Sequence, residues 1–393
     1  MGDNRRVMDE RASVPTPPPP RGTEGHAALD RLLAQTIAAA GGWIGFDRFM
    51  ALALYAPGLG YYSGGAPKFG HFPQGQNGAG SDFVTAPELS PLFAQTLAVP
   101  LAEALARTGT DALWEFGAGS GALAAELLAA LDAMGVAVRR YTIVEVSGSL
   151  RARQRERLAA WGQRVQWADT LPDAIEGVVI GNELLDAMPV KLLARRGGVW
   201  FERGVARAAD GAYAWVERPT ELRPPIEPEG RHDYLTEIHP QAEAFVATLA
   251  ERLRASPRGG AAFFIDYGFP EAEYYHPERS AGTLMCHRAH RADADPLSDV
   301  GEKDITAHVN FTGIALAAQD AGLSTLGYTA QGRFLLNCGI AQRMEAADLA
   351  TRTQAHRLIA EHEMGELFKV LALCTGEGWP SCGFATGDRT HRL

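Results

Sequence analysis

The chain has 393 residues, of which 46% are hydrophobic and 21% charged, and a formal net charge of −10. That balance excludes a wholly disordered chain, a coiled coil and a collagen-like fibre, and no uncharged apolar run of about 18 residues is present to form a membrane span. Bare nucleic acid requires a basic face, and a chain this acidic is not its expected binder, so no nucleic-acid partner is expected. Cys286, Cys338, Cys374 and Cys382 stand far apart with no CxxC pair, which argues against a disulfide framework. Asp3, Asp9 and Glu10 interrupt the first residues, which fit neither a secretory signal nor a transit peptide, and a cytoplasmic location is the expectation.

Residues 1–25 read as a disordered, Pro-rich tail around Pro15 and Pro17 to Pro20. A segment of N-terminal helices and a covering loop follows over 26–110. Leu29, Leu32, Leu33 and Ile37, then Phe46, Phe49, Met50 and Leu54, recur at helical spacing, and Gly41-Gly42 divides them into two helices. A Gly-rich stretch from Pro57 to Gly80 is a long loop of the kind that is usually functional. Leu92 to Arg107 is a further helix.

From residue 111 to 186 strands and helices alternate. Ala112–Phe116, Arg140–Val146, Val165–Trp167 and Gly177–Gly181 read as strands, with helices over Ala122–Met134 and Leu150–Trp161. This order predicts an α/β fold with a doubly wound, Rossmann-like parallel sheet. Residues 187–235 change character. They alternate, with turns at Gly197-Gly198 and Asp210-Gly211 and a Pro-rich link after Pro219, and read as an inserted β-rich subdomain. The core resumes over 236–393 with a helix at Pro240–Arg254 and a buried strand at Ala261–Asp266.

Four signals carry chemistry. Glu115-Phe116-Gly117-Ala118-Gly119-Ser120-Gly121 lies between a strand and a helix, where glycines let backbone approach a ligand. Gly117, Gly119 and Ala122 satisfy a dinucleotide fingerprint, while Glu115 with Gly117, Gly119 and Gly121 fits an S-adenosylmethionine loop better. Glu145 ends the second strand, where a carboxylate accepts both ribose hydroxyls of either cofactor. Asp169, past the third strand, stands where an adenine amino group could be held, although taken alone it reads more readily as a surface turn residue. Asn182-Glu183-Leu184-Leu185-Asp186, past the fourth strand, sets Glu183 and Asp186 where they can grip a guanidinium, which planar carboxylates bind best. His308 is a further candidate for the acceptor channel. Asp266-Tyr267 ends the later strand near the cleft, and a buried tyrosine there is an ordinary outcome. Cys286, His287, His290 and His308 bear donor atoms without the paired spacing of a zinc site, so no metal is expected.

Taken together the motifs resemble the MidA-like family, the class of the mitochondrial complex I assembly methyltransferase. The matches are Gly60-Tyr61-Tyr62, Asp82-Phe83 with Thr85-Ala86-Pro87-Glu88-Leu89-Ser90, Glu115 to Gly121, Val144-Glu145, Asn182 to Val190, Ile265-Asp266-Tyr267-Gly268, Gly282-Thr283-Leu284, and Asp304 through Phe311. The resemblance implies a class I methyltransferase using S-adenosyl-L-methionine on a protein acceptor, an arginine of a respiratory complex I subunit in relatives. It also implies that Glu115, Gly117, Gly119, Gly121 and Glu145 hold the cofactor, that the segment with Thr85, Pro87 and Glu88 closes over it, and that Asn182, Glu183 and Asp186 border the methyl group. Phe93-Ala94-Gln95 departs from the expected Phe-Gly-Glu, and Pro67–Gly80 is longer than usual. An NAD-dependent oxidoreductase and a non-catalytic assembly factor that retains the cofactor fold are the competing readings.

Overall fold

The computed structural model describes residues 23–63, 85–288 and 291–393. Residues 64–80 of the Gly-rich loop, His290, Asp82-Phe83 and nearly all of the Pro-rich tail therefore lie outside the described residues.

The main sheet is built from β1 (Ala112–Phe116), β2 (Arg140–Val144), β3 (Val165–Ala168), β4 (Gly177–Asn182) and, after an insertion described below, three later strands. The insertion supplies β5 (Lys191–Arg196), β6 (Val199–Arg207), β7 (Tyr213–Pro219) and β8 (Tyr234–Ile238); the main sheet then continues with β9 (Gly260–Phe269), β10 (Leu323–Ala330) and β11 (Phe368–Thr375). Its strand order is β10-β11-β9-β4-β1-β2-β3. The strands from β3 to β9 run parallel, whereas β11 is antiparallel to both β9 and β10. This is the doubly wound order the alternating elements predict.

Both faces of the sheet are covered, which explains why its strands read as apolar runs rather than alternating patterns. Val178, Ile180, Phe263 and Ile265 face one layer, with α3 (Pro91–Thr108) and α4 (Ala122–Ala133), numbered after the two N-terminal helices α1 (Thr23–Ala39) and α2 (Phe46–Tyr55). Val179, Ala262 and Phe264 face the other, where Val246 and Leu249 of Pro240–Ala255 and Ile314 of Phe311–Asp320 pack. At Gly177 (φ 120°) a Cβ would lie 2.2 Å from the Ala112 carbonyl oxygen, so only glycine lets β4 lie this close to β1.

The inserted strands form their own antiparallel sheet, and Ile44–Gly45 pairs with β6 at its edge. Leu29, Leu33 and Ile37 of α1 and Phe46, Phe49 and Met50 of α2 pack into one cluster with Leu192 and Val205 of this sheet. The N-terminal region thus divides: 26–62 joins the inserted sheet, whereas Pro91–Thr108 packs on the main one. Among the described residues no helix is long and apolar enough to cross a membrane.

Candidate active site

A cavity of about 240 Å³ opens beyond the carboxyl ends of β1, β2 and β4, at the point where the strand order reverses. Ligands of doubly wound sheets bind at this position. Its floor is the turn from β1 into α4. Gly117 (φ 67°) and Gly119 (φ 52°) take left-handed conformations and line the cavity with bare backbone. Gly121 does not line it. It caps α4 in a left-handed conformation, and a Cβ there would stand 3.4 Å from Gln154, so its glycine serves the turn.

Glu115 is buried and receives the Tyr141 hydroxyl at 2.7 Å; burial pushes its carboxyl up to about 7. Glu145 follows β2, which ends two residues before the expected Val146 because the Glu145 carboxylate turns back to accept the Ser147 N–H at 2.8 Å. Gln154, fully buried, donates to Glu145 (3.2 Å) and to the Gly119 carbonyl (2.9 Å), tying the acidic residue to the glycine turn. Thr85, Pro87 and Glu88 line the opposite wall. Glu88 bonds Ser120 and lies 3.2 Å from Arg157, which fastens the 86–89 helical turn to the floor.

The end of β4 supplies the remaining acids. Glu183 takes φ 50°, a left-handed conformation rare outside glycine. Asp266, on β9, holds it there. Its Oδ2 accepts the N–H groups of Leu184 (3.0 Å), Leu185 (2.8 Å) and Asp186 (3.3 Å), its Oδ1 accepts that of Tyr267 (3.0 Å), and Glu183 N–H donates to the Ile265 carbonyl at 2.9 Å. Burial, then the neighbouring Asp186, raises the Glu183 carboxyl to about 8; Asn182 donates to it at 3.1 Å. Asp186 is raised to about 6 by burial and held back by the Tyr267 hydroxyl at 2.6 Å. Asn182 Oδ1 and Asp186 Oδ1 are buried in the cavity wall with no hydrogen-bond partner. Buried acceptors of this kind carry a desolvation cost until a donor reaches them.

Two sequence candidates stand elsewhere. Asp169 is largely exposed and ion-paired with Arg151, because the chain turns outward after β3. His308 does not line the cavity. Its ring packs edge-on against Tyr267 (centroids 5.2 Å apart), one layer behind Asp186, and burial lowers its pKa to about 4, so it is neutral. Cys286 is buried in the cluster that joins the N-terminal helices to the inserted sheet, and no metal-binding group of three His, Cys, Asp or Glu exists among the described residues. Conversely, Tyr55, Tyr62 and Asp304 line the cavity without having been singled out as site residues in the sequence.

A family model described as "Putative S-adenosyl-L-methionine-dependent methyltransferase" matches residues 96–329. The chain belongs to this family. A crystal structure from Burkholderia thailandensis bound to S-adenosyl-homocysteine is 51% identical and superposes with a TM-score of 0.88, covering 96% of this chain and 100% of that one. A native structure from the same organism is 49% identical over the same shares, with a TM-score of 0.85. Among curated relatives, the Caenorhabditis elegans "Protein arginine methyltransferase NDUFAF7 homolog, mitochondrial" is 27% identical over 363 residues, 83% of this chain and 81% of its own. The MidA-like resemblance is thereby borne out. The enzyme is an S-adenosylmethionine-dependent methyltransferase, and the dinucleotide reading of Gly117, Gly119 and Ala122 falls away. The cavity fits that cofactor in kind: bare glycine backbone, an acid in Glu145 just past the second strand, and unpartnered acceptors at Asn182 and Asp186.

Proposed function

We propose that this enzyme methylates an arginine side chain of a protein acceptor. The observation that carries the reading is the turn Asn182–Asp186, which is held in a strained conformation by Asp266 and leaves the buried Asp186 Oδ1 unpartnered in the cavity. A guanidinium offers five N–H donors in one plane and answers such acceptors better than a hydroxyl or a single ammonium. The likeness to the Caenorhabditis elegans protein arginine methyltransferase homolog supports the same acceptor.

In this reading Gly117, Gly119, Glu115 and Glu145 hold S-adenosylmethionine, with Thr85, Pro87 and Glu88 over it. When bound, the cofactor supplies a methyl group on a sulfonium. Glu183 and Asp186 accept N–H bonds from the acceptor and aim one nitrogen at that methyl group, so that catalysis is chiefly positioning and electrostatics. Asp186, ionised above about pH 6, takes the proton that the nitrogen loses. On the family resemblance, the acceptor to test first is a subunit of respiratory complex I. The test is incubation of the full chain with methyl-labelled S-adenosylmethionine and cell lysate, followed by peptide mass spectrometry. Label on an arginine nitrogen supports the proposal; label confined to lysine, histidine, a carboxylate or a small molecule refutes it.

A further inference from the structure

The cavity is lined by more carboxyl groups than one methyl donor engages. Glu88, Glu115, Glu145, Glu183, Asp186 and Asp304 line it, and no Lys, Arg or His does so among the described residues. Arg157 answers Glu88 from outside the lining. Glu115 and Glu145 stand at the glycine turn. Glu183, Asp186 and Asp304 gather at the other end, close enough that Asp186 and Asp304 both raise the Glu183 carboxyl.

Asp304 reaches this end from outside the main sheet, beside the cluster formed by the N-terminal helices and the inserted sheet. It opens the short strand Asp304–Thr306, is buried, and accepts the Tyr62 hydroxyl at 2.8 Å. The strand is fastened to the β4 turn by the Ala307 N–H, which donates to the Asp186 carbonyl at 3.0 Å. Tyr62 stacks on Tyr55 with centroids 5.5 Å apart and planes 19° from parallel, and the Tyr55 hydroxyl donates to the Ala187 carbonyl at 2.8 Å. Both rings are therefore fixed by their hydroxyls beside the carboxylates. Independently, Asp186, only 4% exposed, has an unpartnered Oδ1 in the same wall. A cation whose edge donates hydrogen bonds and whose face stacks on an aromatic ring matches this wall, and a guanidinium has both properties.

We propose that Asp304, with Tyr62 and Tyr55, forms the acceptor-side wall of the cavity and makes the enzyme select a planar cation over its neutral isostere. This rests on the arginine reading above and assigns its charge selectivity to residues outside the methyltransferase sheet.

The experiment uses the full chain saturated with S-adenosylhomocysteine and two probes, N-acetyl-arginine methylamide and the matching citrulline derivative, with binding followed by ligand-observed NMR. The wild type should bind the arginine probe about ten-fold or more tightly than the citrulline probe, the scale of one desolvated charge pair. Asp304→Asn should reduce that preference to roughly three-fold or less, and Tyr62→Phe, which leaves the carboxylate in place but frees it to move, should fall between them. Affinity for S-adenosylhomocysteine, measured by calorimetry, should stay within about three-fold of wild type in both variants, which also reports that they fold. An unchanged probe ratio in both variants overturns the assignment while leaving the arginine reading intact. So does a loss of S-adenosylhomocysteine affinity in Asp304→Asn alongside normal affinity in Tyr62→Phe, since Asp304 would then serve the donor. A wild type that binds both probes equally overturns the arginine reading as well.

Discussion

Replacing Tyr267 by Phe removes one hydroxyl and keeps the ring that packs between Phe368 and His308. The lost hydroxyl is the donor that reaches Asp186 at 2.6 Å. Asp186 lies above the ordinary aspartate range, at about 6, so the folded chain holds this proton more tightly than the unfolded chain does. Its contribution to stability is full below about pH 4 and is lost as the pH rises through about 6, a loss on the order of 3 kcal/mol. A hydrogen bond to a charged group contributes about 1.5–3 kcal/mol. Without it the Asp186 carboxyl should titrate roughly one to two pH units higher, and the variant should suffer a further destabilisation only where the wild-type carboxylate is ionised. Urea unfolding of the two proteins without ligand at pH 5 and pH 8 measures this. The gap between them should be about 0.5 kcal/mol or less at pH 5 and about 2 kcal/mol at pH 8, while Glu115 and Glu183, present in both, largely cancel. The methyl-transfer optimum should move to higher pH with it. A gap of the same size at both pH values would refute the reasoning, because a packing defect does not titrate.

Glu183→Gln should lower methyl transfer by two orders of magnitude or more while S-adenosylhomocysteine affinity stays within about three-fold, read by single-turnover labelling and calorimetry. Glu145→Ala should weaken S-adenosylhomocysteine by about 100-fold, the loss of two charge-assisted bonds, whereas Asp169→Ala, which removes an exposed ion pair, should leave that affinity nearly unchanged. Gly119→Val should abolish cofactor binding without unfolding the chain. A β-branched residue is disfavoured at φ 52°, and its side chain adds bulk to a turn that now presents bare backbone; circular dichroism and calorimetry separate the two effects.

The main sheet was legible because its strands are buried on both faces and so announce themselves as apolar runs, as Val178–Ile180 and Ala261–Ile265 do. The glycine turn, Glu145 and Asn182–Asp186 were legible because each directly follows one of the strands β1, β2 and β4 that flank the reversal in strand order; Asp169 follows β3 just as directly but, one strand further from that reversal, lies outside the cavity. Asp304 and Asp266 act through contacts that no local spacing encodes: Tyr62 and Asp304 meet across 242 residues, and Asp266 reaches Leu185 across 81. Gln154 lies hidden in an arginine-rich helix, Gly148–Arg157, whose composition reads as surface. It is nevertheless fully buried, because its amide bridges Glu145, the Gly119 carbonyl and the Trp167 indole. The division of the N-terminal helices between two sheets was invisible for a related reason. Ile44–Gly45 is a two-residue strand, too short to show a period.

The carboxyl groups beyond β4 make physical sense only as a set. Glu183 near 8 and Asp186 near 6 are pushed apart by their surroundings, so around neutral pH one tends to hold a proton while the other is ionised. Such a split separates the roles of two acids in one site. Any cation entering the cavity favours the charged form of both and pulls the two values down together. The loaded site is therefore more acidic in character than the empty one, with two carboxylates facing the ligand where one faced water. Asp266 keeps this arrangement in place at the cost of a strained Glu183 backbone, and Tyr267 sets how readily Asp186 accepts a proton. Charge, strain and hydrogen bonding thus converge on a single residue pair at the end of β4, which is why the proposed mechanism assigns methyl transfer there and assigns cofactor binding to the glycine turn and Glu145 at the ends of β1 and β2.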